Sequence, residues 1–213
     1  AENEEVFLAI YNVEKGRKVK RAAPGGAGYC VNPFSAMALD NHLEPFQEAL
    51  FKNKNTSLRS VFNDSFEWAG NFTPEFFEQF QKQKQYDIRK YLNYLSGEGD
   101  KEMVMRISAD YREVLSNLLL TEFTENLGKW SNKNGMQFKN QAHGSPGNLI
   151  DLYAASDIPE TEIFRYSSFK IPGYDLADDL PVFEDKPDIM MMKFASSGAN
   201  LAGRELVSSE SCT

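Results

Sequence analysis

Short runs with strand character alternate along this chain with stretches of helical period, and that alternation constrains the fold more than any other feature. Residues 6–11, 58–62, 136–139 and 204–208 have the length and side chains of strands, and residues 157–160 read as a further strand end or a turn. Helical patterns lie between them. Ser35 is an N-cap candidate for a helix over residues 36–51, with Met37, Leu39, Leu43, Phe46 and Leu50 near helical spacing. Thr73-Pro74 has the form of a helix start that leads into Phe76, Phe77 and Phe80 on one face, and residues 86–95 continue the pattern. Ser108 opens the longest stretch, with Tyr111, Val114, Leu115, Leu118, Leu119, Phe123, Leu127 and Trp130 stepping by three or four before Gly135. Residues 148–153 and 190–200 are further helix candidates, whereas the polar residues 166–188 read as a long loop. Strand–helix alternation predicts an α/β fold with a parallel sheet. No Gly-rich phosphate turn of the dinucleotide or P-loop kind is present.

Charge and composition remove several functions. The chain has 213 residues, enough for one medium domain with a real core. Its 31 acidic residues against 23 basic ones give a formal net charge of −8, which argues against nucleic acid as the main partner. An aromatic content of 13% suits a protein that stacks rings on sugars, and equally an acidic soluble protein of any kind. Cys30 and Cys212 form neither a disulfide framework nor a metal-ligand spacing. No apolar run approaches the roughly 18 residues of a membrane helix, and no signal-peptide pattern opens the chain. The start at Ala1 without methionine, and the stop directly after a strand-like run, read as a fragment whose flanking parts are absent.

Acidic residues cluster where strands end. Asp64 and Glu67 follow residues 58–62, His143 follows 136–139, Glu160 and Glu162 sit at the next strand-like end, and Glu210 follows the last. In a (β/α) barrel the residues just past the strands gather at one mouth, where active sites lie. Carboxylates meeting there suit glycosidic bond cleavage, in which one acid protonates the leaving oxygen and a second carboxylate activates water or attacks the sugar. Each residue also has a plainer reading. Asp64 is equally a turn or cap residue. Glu67 stands beside Trp68, and an indole against a carboxyl favours the protonated form a general acid needs, but Glu67 is equally a solvated loop acid. A lone histidine such as His143 is more often structural than catalytic. Glu160 and Glu162 flank one residue and can share a cation, although paired acids in a turn are more often simply solvated.

At these same residues the chain resembles glycoside hydrolase family 106, the α-L-rhamnosidases. The resemblance is carried by Asn63-Asp-Ser-Phe-Glu67, Gln141-Ala-His-Gly-Ser-Pro-Gly-Asn148, Asp157-Ile-Pro-Glu-Thr-Glu162, Lys193-Phe-Ala-Ser-Ser197 and Ala202-Gly-Arg-Glu-Leu-Val-Ser-Ser-Glu210, in that order. Tyr86-Asp87-Ile88-Arg89 followed by Tyr91-Leu92 is similar to the helix after the first motif. The resemblance implies that residues 1–213 are part, about half, of a (β/α)8 TIM-like barrel. It implies a secreted or periplasmic bacterial enzyme that hydrolyses terminal α-L-rhamnosyl residues of plant polysaccharides or rhamnosylated glycosides, with inversion. Carried over motif by motif, Glu67 is the general acid and Glu210 the general base. Asn63, Asp64, Trp68, His143 and Asn148 are pocket residues, and Glu160, ranked above Glu162, is the place for a calcium that holds sugar hydroxyls. The partner is carbohydrate, not nucleic acid or membrane. The fragment alone is expected to be inactive. Two alternatives stand: a non-catalytic or degenerate carbohydrate-binding barrel, and a retaining hydrolase of another barrel family.

Overall fold

The computed structural model describes residues 17–20, 22–52, 57–68, 70–162 and 189–210, which divide into two compact units. The strand expected over residues 6–11 and the loop expected over 166–188 lie outside the described residues.

The first unit combines the chain up to Thr56 with Glu67–Asn126, and its described residues are mainly helical. Ser35 caps α1 (Ala36–Phe51) as expected, its hydroxyl accepting from the Ala38 amide at 3.4 Å. Leu39 and Leu43, one turn apart, are buried. Met37, Phe46 and Leu50 are exposed instead. Met37 lies about 200° round the helix from Leu39, so these positions do not form one face.

The helix after Thr73-Pro74 starts later than that dipeptide suggests, as α2 (Phe76–Lys84). The Thr73 hydroxyl donates to Glu75 at 2.6 Å, and the Phe76 amide donates to the Thr73 carbonyl at 3.0 Å, so Thr73, Pro74 and Glu75 form a turn before the helix. Gln85, at a left-handed φ of 63°, ends α2, and a short 3₁₀ turn (Ile88–Tyr91) and α3 (Leu92–Leu95) follow. The long helix α4 (Lys101–Leu118) is capped by Asp100, which accepts from the Met103 amide at 3.0 Å; Ser108 lies inside it. A widened stretch (Leu119–Thr124), where the Thr124 hydroxyl donates to the Leu119 carbonyl, leads into α5 (Glu125–Lys133). The core of this unit is aromatic: the Phe76 ring lies 4.6 Å from Tyr111, and Phe80 5.1 Å from Tyr86.

The second unit combines Ser57–Phe66 with the chain from Leu127. It holds a four-stranded parallel sheet in the order β1 (Ser60–Asn63), β2 (Gln137–Asn140), β3 (Ile158–Glu162), β4 (Ser208–Glu210). The expected α/β class with a parallel sheet is therefore present. Residues 157–160 are not a turn, because β3 runs on through Glu162. The last strand starts at Ser208, not 204: the Arg204 amide still bonds to the Ala199 carbonyl at 2.8 Å, closing the preceding helix.

Phe138 is fully buried, and its ring lies 3.5 Å from where a Cβ on Gly128 of α5 would be, so one face of the sheet packs on helix. Behind it α6 (Leu149–Ala154), capped by Asn148, meets α7 (Ile189–Leu201). That crossing needs a glycine, because a Cβ on Gly198 would fall 2.6 Å from the Tyr153 Cβ. Side chains alternate along strands, so Lys139 and the residues in step with it face the other side.

Candidate active site

That other side is polar. Lys139 and Gln141 on β2 and just past it, Glu160 and Glu162 on β3, and Ser208 and Glu210 on β4 are each two residues apart and share one face. The register sets Glu160 beside Ser208 and Glu162 beside Glu210. Gln141 is fully buried, and its amide nitrogen donates both to Glu160 Oε1 at 2.9 Å and to Glu210 Oε2 at 2.7 Å. Glu160 is 4% exposed; its Oε2 accepts from Lys139 Nζ at 2.5 Å and from the Ser208 hydroxyl. Lys139 Nζ also lies 4.2 Å from the centre of the Phe62 ring. One chain of contacts thus crosses all four strands and ends at the half-buried Glu210.

Burial is the largest single influence on Glu160 and disfavours its charge. The hydrogen bonds from Lys139, Ser208 and Gln141 together outweigh it and hold the carboxyl below its ordinary range. Burial, with the charge of Glu160 adding, pushes the Tyr153 phenol up to about 12. His143, also buried, lies 3.1 Å from Glu162 Oε2 through its Nε2. Its carbonyl accepts from the Phe66 amide at 3.3 Å, which ties the segment after β1 to the segment after β2. Gly144, at φ 80°, supplies the turn that follows.

The other expected site residues are placed differently. Asn63 donates to Asn140 at 2.8 Å, and Asn140 lies on the Phe138 side of β2, so this pair belongs to the helix-bearing face. Asp64 is exposed and accepts from the adjacent Ser65 amide at 2.7 Å, which is a turn contact. Asn148 spends its side-chain oxygen on the Ile150 amide as the cap of α6.

Glu67 and Trp68 belong to the first unit. Glu67 is 43% exposed and paired with Lys20 at 2.9 Å, and its carbonyl accepts from Arg17. The Trp68 indole folds back over Gly70, where a Cβ would fall 2.5 Å from the indole nitrogen. The sequence assigns Gln141, Lys139 and Ser208 no role, although Gln141 and Ser208 lie within the resembling motifs and the period of two along β2 and β4 puts all three on the acid face.

The donors around Glu160 do not suit a calcium ligand. Lys139 already supplies the positive charge, and both carboxylate oxygens accept hydrogen bonds. Among the described residues no three His, Cys, Asp or Glu side chains group as a metal site. Glu162 is less enclosed, with 17% of its side chain exposed and one oxygen 3.1 Å from His143 Nε2. No helix of the described residues is long and apolar enough to cross a membrane.

Known proteins are similar to this chain in sequence and in structure. In sequence, the chain is 27% identical over 215 residues to a curated protein of Formosa agariphila named "Putative beta-glucuronidase", covering 98% of this chain and 17% of that protein. In structure, it is similar to a rhamnosidase from Novosphingobium sp. PP1Y, with a TM-score of 0.75 and 26% identity over 92% of this chain and 19% of that one. The chain thus spans less than a fifth of either relative. The family profile of glycoside hydrolase family 106, described as alpha-L-rhamnosidase, matches residues 8–213. With that match across nearly its whole length, this chain belongs to glycoside hydrolase family 106.

Proposed function

We propose that this chain carries catalytic carboxylates of an inverting α-L-rhamnosidase, on part of a (β/α)8 barrel whose polar sheet face lines the substrate mouth. The observation that carries the reading is Glu210. It stands at the C-terminal end of a parallel strand, half-buried, with one oxygen held by a buried amide. Active sites of parallel barrels form at that end of the strands. A general base needs a carboxylate that is fixed and yet reached by water.

In this mechanism Glu67 gives its proton to the glycosidic oxygen as the bond to the anomeric carbon breaks. Glu210, as the general base, takes a proton from the attacking water. Exchange with solvent then returns a proton to Glu67 and removes one from Glu210. An ion pair requires Glu67 as an anion, so the acid role requires Lys20 to release it when substrate arrives.

The sugar is a neutral deoxyhexose in this reading, not a uronic acid. A uronate would bring its charge to a face holding Glu160, Glu162 and Glu210, where, among the described residues, Lys139 is already committed to Glu160. Calcium, held through Glu162, would supply positive charge for adjacent sugar hydroxyls. Plant polysaccharide or rhamnosylated glycoside substrates put such an enzyme outside the cytoplasm, secreted or periplasmic.

The test is the anomer first released from p-nitrophenyl α-L-rhamnoside by the full-length protein, followed by proton NMR. β-L-Rhamnose appearing before mutarotation supports the reading, and α-L-rhamnose first or no hydrolysis overturns it. The same assay with a chelator tests calcium, which predicts a loss of rate that added calcium restores.

A further inference from the structure

We propose that Gln141 is a positioning residue for Glu210, a role that rests on the reading of Glu210 as the general base. The amide nitrogen of Gln141 has two hydrogens, and the structure aims them at two different carboxylates, at 2.9 Å and 2.7 Å. Two anions on one side of the amide fix its orientation, because an oxygen turned that way would meet both of them. Glu160 is in turn fixed by Lys139 and Ser208. Orientation therefore passes from Lys139 and Ser208 to Glu160, from Glu160 to Gln141, and from Gln141 to Oε2 of Glu210. Oε1 of Glu210 is then the oxygen offered to the attacking water.

Gln141 is fully buried, and its own Oε1 is buried without a hydrogen-bond partner. Packing alone does not call for that arrangement, since an apolar side chain of the same length would fill the space with no orphaned acceptor. The glutamine is explained by what its nitrogen holds. Because Gln141 is fully enclosed and its nitrogen donates to Oε2 of Glu210, it acts on the reaction through Glu210 and not through the sugar.

The experiment uses the full-length enzyme and an activated aryl rhamnoside. Gln141→Met keeps the length of the side chain and removes both donors. The expected result is a fall in kcat on the order of 10²-fold, the scale of a misplaced reacting group, with KM within about twofold. The decisive comparison is the Glu210→Ala background supplied with azide. Azide has no proton to lose, so it attacks the anomeric carbon without a base as the aryl oxygen leaves. There Gln141→Met should change the azide-dependent rate by less than about threefold. An equal fractional loss in both backgrounds, or a rise in KM with kcat unchanged, would overturn the positioning role. If Gln141→Met does not fold, Ser208→Ala, which removes one donor to Glu160, must show the same non-additive pattern with a smaller loss, and additivity there overturns the proposal. Full activity in Glu210→Ala alone would instead sink the base assignment, so the two failures are distinguishable.

Discussion

The first unit buries rings, whereas the second buries a charge. Phe76 and Phe80 are fully enclosed among Phe72, Phe77, Tyr86 and Tyr111, and this packing asks only for shape. One face of the second unit's sheet is packed the same way, through Phe138 and Gly128. The other face encloses Glu160 and Gln141, and every partner there must be in place for the burial to be tolerable. Apolar burial holds a fold, and satisfied polar burial holds particular atoms in particular places at some risk to stability. That difference is why the proposed chemistry is assigned to the second unit's polar face.

Mutations should separate the two kinds of burial. Phe76→Ala should cost about 4 kcal/mol of stability, measured by denaturant unfolding, and leave kcat of the folded enzyme unchanged. A large kcat loss without destabilisation would break the comparison. Lys139→Met leaves Glu160 buried without its cation and should cost about 3 kcal/mol, with kcat lost as well. Its pH dependence sharpens the point. The folded carboxyl of Glu160 titrates below its ordinary value of 4.5, so the cluster's stabilisation is present above that value and is lost as pH falls through the lower folded one. Thermal midpoints of the wild type should therefore drop on acidification through that window, and Lys139→Met should show less of the drop. The smallest effect is expected at Lys20, whose pair with Glu67 is exposed on both sides. Lys20→Ala should change stability by less than about 1 kcal/mol, and a loss as large as that of Lys139→Met would show that Glu67 is held structurally.

Much of the fold is legible in the chain because it is local. Ser35 caps the helix that its position suggests, and helices expected over residues 148–153 and 190–200 are present as α6 and α7, with Asn148 as the cap of the first rather than its opening residue. The β3 strand is hard to see because Pro159, Glu160, Thr161 and Glu162 give no apolar alternation, and only burial between two neighbouring strands makes them a strand. Asp100 escapes notice as a cap because Ile107 is the only buried residue in the first two turns of its helix. In the candidate site, the acids at strand ends stand out by type and position. Gln141 does not, because its role comes from carboxylates 19 and 69 residues further along the chain. Glu160 is visible as an acid, yet nothing local to it reveals that Lys139 and Ser208 occupy it.

The account depends most on Glu210 acting as the base, and replacing it by alanine in the full-length enzyme is the direct measurement. Loss of the carboxylate should lower kcat on the order of 10³-fold on an aryl α-L-rhamnoside. Azide should restore turnover and give the β-L-rhamnosyl azide. Wild-type turnover in Glu210→Ala, or an azide product of retained α configuration, would contradict it.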